Sequence, residues 1–340
     1  MSKLQDTRWS NPRLNLVSEK LFWLSCQART DVGLGHLSRC IALAEELNLR
    51  GYGTCFAHFS ELDARGQSLL LNSDLSLTCE CTDIPVAVIC DSYDLNFISK
   101  INLGTNSKLV LLADDISLPF KADGYIEASP IKNWFPLNED APIFKFDANP
   151  ILRKQFDAST ISYDFDSPFD LLMTFGAGKE LGSILNSLIP IIAGSSLFSQ
   201  KVTLLSGEDL NLINLAQSDK VSIEVLRGTY NLRDLITNKT FVISAAGVTA
   251  WELITLGVPG FLIAVAENQY EQLDYFNRLG LRDGVVYRNT SQLATEVNLL
   301  LESRNFIDAA SEAKFLTKNG RVESINWLLD KVLNYPNHQM

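Results

Sequence analysis

The sequence has no excess of positive charge. Its 29 Lys and Arg face 40 Asp and Glu, a formal net charge of −11, and no basic block offsets it. Nucleic-acid binding relies on clustered Lys and Arg, and so does docking on an anionic membrane, so neither partner is expected. Long hydrophobic runs are also missing. The longest, Gly257 to Ala266, is interrupted by Pro259 and Gly260 and is far too short to cross a bilayer. Residues 1–20 are polar and lack the apolar centre of a signal peptide. They are read as a flexible leader, and a cytoplasmic protein without stable membrane association is expected. An acidic chain can still hold an anionic ligand where helix N-termini and backbone N–H groups create a local positive field.

Histidine is scarce, with only three in the chain, and this leaves little for a metal site. None of the six cysteines forms a C-x-x-C pair, and Cys79 and Cys81 are too close in sequence for a tetrahedral zinc knuckle. Buried reduced thiols and no metal are expected. No G-x-S-x-G elbow, H-E-x-x-H or Walker A sequence is present, which removes serine hydrolases, zincins and P-loop enzymes.

What is present is the grammar of an α/β protein. A length of 340 residues suits two cores rather than one, and 46% hydrophobic with 20% charged residues is globular rather than disordered composition. Leu21–Cys26, Thr54–His58, Val86–Cys90 and Leu109–Ala113 read as strands. They are continuously apolar, as strands buried on both faces of a parallel sheet are. A helix is predicted from His36 to Arg50, with Leu37, Ile41, Ala44 and Leu47 on one face and Gly51 as its stop. From Glu127 to Phe169, Pro130, Pro136, Pro142 and Pro150 punctuate a stretch read as a linker or lid. The alternation then resumes. Strands are predicted at Phe169–Phe175, Lys201–Leu205, Ile223–Leu226, Phe241–Ser244 and Gly260–Val265, and helices at Gly182–Ala193, Val248–Leu256 and Gln269–Leu279. Two Rossmann-like domains with parallel sheets facing a cleft are expected, over residues 21–150 and 165–340. The last helix is a candidate to pack back on the first domain.

Five segments carry possible chemistry. The first, Gly33-Leu34-Gly35-His36-Leu37-Ser38-Arg39, opens the first helix directly after a strand. Glycines there let the backbone approach a ligand, and the helix start presents unpaired N–H groups. The spacing is not the dinucleotide fingerprint. The bland alternative is a tight turn with His36 as a cap. The second, Ser244 to Glu252, repeats the pattern: N–H groups of Gly247, Val248 and Thr249 suit a diphosphate, and Glu252 suits ribose hydroxyls. Alone, it would be read as another turn with a solvated glutamate. The third, Ala266-Glu267-Asn268-Gln269, follows a strand at the end where open α/β sheets bind ligands, although Asn268 could merely cap the next helix. The fourth is the turn Phe175-Gly176-Ala177-Gly178. The fifth is Asp91-Ser92-Tyr93, from which Tyr93 could reach the cleft.

In order, these segments resemble the UDP-sugar hydrolase family of pseudaminic acid biosynthesis, relatives of MurG-like glycosyltransferases with the GT-B fold. The likeness runs from about Leu21 to the C-terminus. Besides Gly33-x-Gly35-His36-x-x-Arg39-Cys40, it rests on Val88-Ile89-Cys90-Asp91-Ser92-Tyr93, Asp114-Asp115, Pro150-Ile151-Leu152-Arg153 and Asn231-Leu232-Arg233-Asp234-Leu235. Two further matches are Ala245-Ala246-Gly247-x-Thr249-x-Trp251-Glu252 and Ala266-Glu267-Asn268-Gln269. This chain departs at Phe175-Gly176-Ala177-Gly178-Lys179, where the family's turn has a hydroxyl and a carboxylate, and at Val248, where it has serine. The stretch after Asp115 also lacks the family's asparagine and arginine.

The resemblance implies hydrolysis of a UDP-linked diacetamido-trideoxyhexose to UDP and free sugar, without metal or cofactor. It implies His36 as the catalytic residue and Tyr93 and Asn268 on the sugar. Gly247, Val248, Thr249 and Glu252 would hold UDP. Gly33, Gly35, Arg39, Gly176, Glu267 and Gln269 complete the expected substrate-binding set. The rival expectations are a glycosyltransferase using a UDP-sugar donor, and a non-catalytic nucleotide-sugar-binding protein.

Overall fold

The computed structural model describes residues 20–26, 34–57, 64–71, 73, 75, 84–92, 106–113, 121–130, 136, 138–147, 150–157, 161–175, 181–206, 220–227, 231–309 and 320–334. The first sheet contains β1 (Leu21–Cys26), β2 (Gly53–Phe56), β3 (Ala87–Asp91), β4 (Lys108–Ala113), β5 (Gly124–Glu127) and β6 (Ile143–Phe144). Its spatial order is β2-β1-β3-β4-β5-β6, and every pairing is parallel. Helix α1 (Gly35–Leu49) follows β1 and stops at Gly51, whose φ of +80° is a left-handed turn that glycine adopts without a Cβ clash. A shorter helix, α2, covers Ala64–Leu71.

The second sheet contains β7 (Phe169–Thr174), β8 (Phe198–Ser206), β9 (Ser222–Arg227), β10 (Thr240–Ser244), β11 (Gly260–Ala264) and β12 (Gly284–Val286). Its order is β12-β11-β10-β7-β8-β9, again all parallel. The helices of this half are α3 (Leu181–Gly194), α4 (Val248–Thr255), α5 (Tyr270–Arg278) and α6 (Thr290–Ser303). The last, α7 (Gly320–Trp327), runs on as a wider π-turn through Val332. Among the described residues, no helix is long and apolar enough to cross a membrane.

In each sheet the winding reverses once. The chain leaves β1 toward β2 and returns to place β3 on the other side of β1, and it does the same from β7 when β10 arrives. A ligand crevice belongs outside the C-terminal ends of the strands at such a reversal. The segments that open there are the start of α1 with the end of β3, and the start of α4.

Ile325, Leu328, Leu329 and Val332 of the C-terminal segment are buried in one cluster with Phe22, Leu24, Leu37 and Ile41 of the first half. Arg321, 2% exposed, anchors α7 there: it contacts Glu46 of α1 at 3.3 Å and Asp157 at 2.6 Å, and donates to the Leu152 carbonyl at 3.0 Å. The proline-punctuated stretch carries β6 and divides its apolar residues. Ile151 joins the first cluster, whereas Phe146, Leu152 and Phe156 join Trp251 and Phe276 in the second half.

Among the described cysteines one differs from expectation, and Cys79 and Cys81 lie outside the described residues. Cys26, Cys40 and Cys90 are free and buried, but Cys55 is disulfide-bonded. The physical difference is place: Cys55 lies on β2, the edge strand, whereas Cys26 and Cys90 sit on interior strands and Cys40 on the buried face of α1.

Candidate functional site

The first corner is built by α1 and β3. Asp91 is the last residue of β3, in register with Cys26 at the end of β1, and His36 and Arg39 lie on the first turn of α1. All three side chains are buried, at 1%, 3% and 6% exposure. His36 Nδ1 stands 2.5 Å from Asp91 Oδ1. Arg39 donates from Nε to Asp91 Oδ2 at 2.8 Å and from Nη2 to Oδ1 at 2.9 Å, the two-point fork that suits a carboxylate. Burial pushes the Asp91 carboxyl up, but the charge of Arg39, the neighbouring His36 and their hydrogen bonds outweigh it. The net result lies below the usual carboxylate range.

An ionised Asp91 assigns the proton on the imidazole. The short contact needs a proton between the two atoms, and a carboxylate held ionised by Arg39 leaves that proton on Nδ1. The 3.0 Å approach of Arg39 Nη2 to Nδ1 is then proximity rather than a donated bond, since both atoms are donors. In the neutral imidazole Nε2 is therefore the basic nitrogen. A buried carboxylate that orients an imidazole through Nδ1 is the arrangement of a general base.

The second corner is the start of α4. Gly247 is its extended N-cap residue, and no side chain caps the helix; α1 likewise begins at Leu34 without a side-chain cap. The chain does cap elsewhere: Asn289 accepts from Gln292 N–H at the start of α6, and Asn231 from Arg233 N–H. At the two helices that open at the reversals the N-cap residue thus supplies no side-chain cap, and a helix start of this kind suits an anion. Among the described residues, a Cβ added to Gly247 would meet nothing within 4 Å. Gln272 of α5 holds the corner from behind, donating to the Gly247 carbonyl at 3.0 Å.

The corners meet. A Cβ added to Gly35 would stand 3.2 Å from Cγ2 of Val248, so the start of α1 and the start of α4 touch across the two halves. Glycine at position 35 permits this approach.

The remaining expected residues are placed as follows. Gly33, Tyr93 and Gly176 lie outside the described residues, as do Asp114 and Asp115. Thr249 is half-buried on the first turn of α4. Glu252, one turn on, is 5% exposed, with Oε1 3.6 Å from Arg153 Nη2. Burial raises the Glu252 carboxyl from its ordinary value against the pull of Arg153. Glu267 is exposed, and Gln269 Oε1 accepts from its own turn, at Val265 N–H, 3.0 Å away. Asn268 falls in the same short 3₁₀ turn, and α5 begins after Gln269 without a side-chain cap.

Three contributors carried no assigned role in the sequence reading, although Asp91 and Arg153 stand in stretches that support the resemblance. Asp91 was visible only as a strand-end carboxylate, and the His36 contact spans 55 positions. Arg153, which closes on Glu252 and lies 5.3 Å over the Phe156 ring, sits in the stretch without periodicity. Gln272 falls within the helix predicted from Gln269 to Leu279 and was not singled out.

No family model matches the chain, and no curated protein matches its sequence. Solved structures do match its fold. MurG of Acinetobacter baumannii superposes with a TM-score of 0.58 at 14% identity, covering 93% of this chain and 99% of that one. S. aureus MnaA, solved with UDP, gives 0.63 at 11% identity over 94% and 99%. The glycotransferase of kitacinnamycin gives 0.65 at 11% identity over 92% and 99%. Likeness at these identities speaks for the fold alone: the chain has the two-domain α/β GT-B architecture.

Proposed function

We propose that the chain binds a UDP-sugar between its two corners and hydrolyses it to UDP and the free sugar, with His36 as general base. The observation that carries this reading is the contact of Gly35 with Val248. It brings two helix starts together beside an imidazole already oriented by a carboxylate. The diphosphate lies on the N–H groups of Gly247, Val248 and Thr249, and the helix dipole receives the charge that develops as UDP leaves. Water attacks the anomeric carbon, the bond from that carbon to the diphosphate oxygen breaks, and the water proton passes to His36 Nε2. UDP is a good leaving group, so little acid assistance is needed. The MnaA structure contains UDP, which favours a uridine nucleotide here. The sequence resemblance favours a diacetamido-trideoxyhexose, with Tyr93 and Asn268 on the sugar, and Glu252 accepts from the ribose.

A second reading is transfer of the sugar to an acceptor, which the kitacinnamycin glycotransferase among the neighbours favours. Purified protein incubated with a panel of UDP-sugars and no acceptor separates the two. Catalytic UDP release supports hydrolysis, strict acceptor dependence supports transfer, and tight UDP binding without product removes both.

A further inference from the structure

A second buried cation lies away from both corners. Arg282, between α5 and β12, is 2% exposed, and its Nη1 donates to the Gly260 carbonyl at 3.1 Å. Gly260 is the first residue of β11, so this guanidinium sits at the N-terminal end of the second sheet, whereas the Gly247 corner lies past the C-terminal end of β10. The other edge of the guanidinium, formed by Nε and Nη2, is buried with no hydrogen-bond partner. These two N–H groups point the same way from a rigid plane, and together they are the fork that takes an anion side-on.

A third orphaned donor stands by. The Tyr163 hydroxyl is buried without a partner, and Tyr163 and Arg282 act on each other electrostatically. Tyr163 is held at the same end of the sheet, because Asp164 N–H donates to the Asn238 carbonyl at 2.9 Å, just ahead of β10. Burial pushes the phenol above its ordinary range, against the charges of Arg282 and Arg233, so it keeps its proton and donates. Burial also pulls Arg282 down to about 10, opposed by Tyr163 and Asp283.

The chemistry leans one way: three donors, Arg282 Nε and Nη2 and the Tyr163 hydroxyl, have no hydrogen-bond partner, and the positive charges of Arg282 and Arg233 stand against the one carboxylate of Asp283. Leaving such a group unpaired in a protein interior is costly. A water molecule would accept from two donors but bring two hydrogens of its own and leave the charge uncompensated. A small anion answers all three donors and the excess of positive charge, and donor atoms buried this far favour a compact ion over an organic one. We propose that Arg282 Nε and Nη2, with the Tyr163 hydroxyl, hold a monovalent anion of chloride size at the N-terminal end of the second sheet. It is a structural ion, independent of the site between the corners.

Bromide is the probe. Crystals of the full chain grown in sodium bromide, measured at the bromine edge, are expected to show an anomalous peak within hydrogen-bond distance of all three donors. A water-strength peak there without anomalous signal overturns the proposal, as does bromide found only on the surface. In solution, thermal unfolding in chloride is compared with gluconate at equal ionic strength. The full chain is expected to melt higher in chloride, and the difference is expected to shrink in Tyr163→Phe, which keeps the ring, and vanish in Arg282→Met. Should Arg282→Met fail to fold, Tyr163→Phe and the anomalous map decide alone. A melting temperature of the unaltered chain that is indifferent to halide counts against the ion.

Discussion

Gly35 and Val248 stand in contact across the two halves of the chain, 3.2 Å separating Cγ2 of the valine from the point where a Cβ on the glycine would lie. The two residues are 213 positions apart (248 − 35), and each opens a helix at the winding reversal of its own sheet. The contact sets how closely the two helix starts approach each other.

Gly35→Ala is expected to disturb that spacing more than it disturbs folding. Alanine in place of glycine favours a helix by roughly 0.5–1 kcal/mol, which offsets the crowding against Val248. UDP affinity should fall, and Val248→Ala should restore it by removing the methyl group that is struck. Calorimetry on both single variants and the double variant closes the cycle. Purely additive losses would show that the corners do not meet in solution.

His36→Ala is expected to lower turnover at least ~100-fold with little change in UDP affinity, in line with typical general acid–base contributions. Steady-state UDP release gives the first quantity and titration the second. Near-normal turnover removes His36 from the chemistry.

Asp91→Asn tests the carboxylate beneath the imidazole in two ways. Turnover should fall, because an amide no longer fixes the proton on Nδ1. The stability effect has a definite sign. The folded-state Asp91 carboxyl lies below its ordinary value, which is about 3.9 in an unfolded chain. Its contribution is therefore complete above the unfolded value and is lost as pH falls through the folded one. Urea unfolding between neutral pH and pH ~3 should show a smaller acid loss in the variant than in the parent, since the amide takes up no proton in either state. Parallel curves would mean that the carboxylate is not held ionised.

How much of this was legible follows the range of each signal. Both helix starts were readable, because a glycine-rich turn between an apolar run and a 3.6-residue pattern is local information. The strands read from the sequence recur with ends shifted by a few residues; Thr54–His58, for example, becomes Gly53–Phe56. Strands β5, β6 and β12 went unread. They have 4, 2 and 3 residues, too few to register a period. The pairing of His36 with Asp91 and that of Glu252 with Arg153 were not legible, because only the packed sheets bring those positions together.

Glu252→Ala should weaken UDP binding by roughly 10–100-fold, the scale of losing hydrogen bonds to a charged group, and slow the chemical step less. Burial raises this carboxyl, so its ionised form costs folding stability. That cost appears as pH rises through the raised value, the opposite sign to Asp91. The variant should then lose UDP affinity while becoming relatively more stable toward neutral pH. Unchanged affinity by calorimetry would falsify the ribose assignment.

Arg321→Met is expected to be the most damaging of these changes to folding, and to leave the chemistry of surviving molecules intact. The guanidinium is almost wholly enclosed and answers Glu46 on α1, Asp157 and the Leu152 carbonyl at once. Methionine matches much of its length but satisfies none of these groups. Glu46, itself 7% exposed, keeps its bond from Arg50 at 2.8 Å, yet loses its interior partner. Removing one member of a buried ion pair costs about 3–5 kcal/mol because the other charge stays behind. Pairing Arg321→Met with Glu46→Gln should recover part of the loss, since the stranded charge goes too. Denaturant midpoints for the two single variants and the double variant supply the test. If the double variant is worse by the simple sum of the singles, then Arg321 and Glu46 are not coupled, and the arginine acts through Asp157 and the Leu152 carbonyl while α7 meets α1 through Ile325, Leu328 and Leu329.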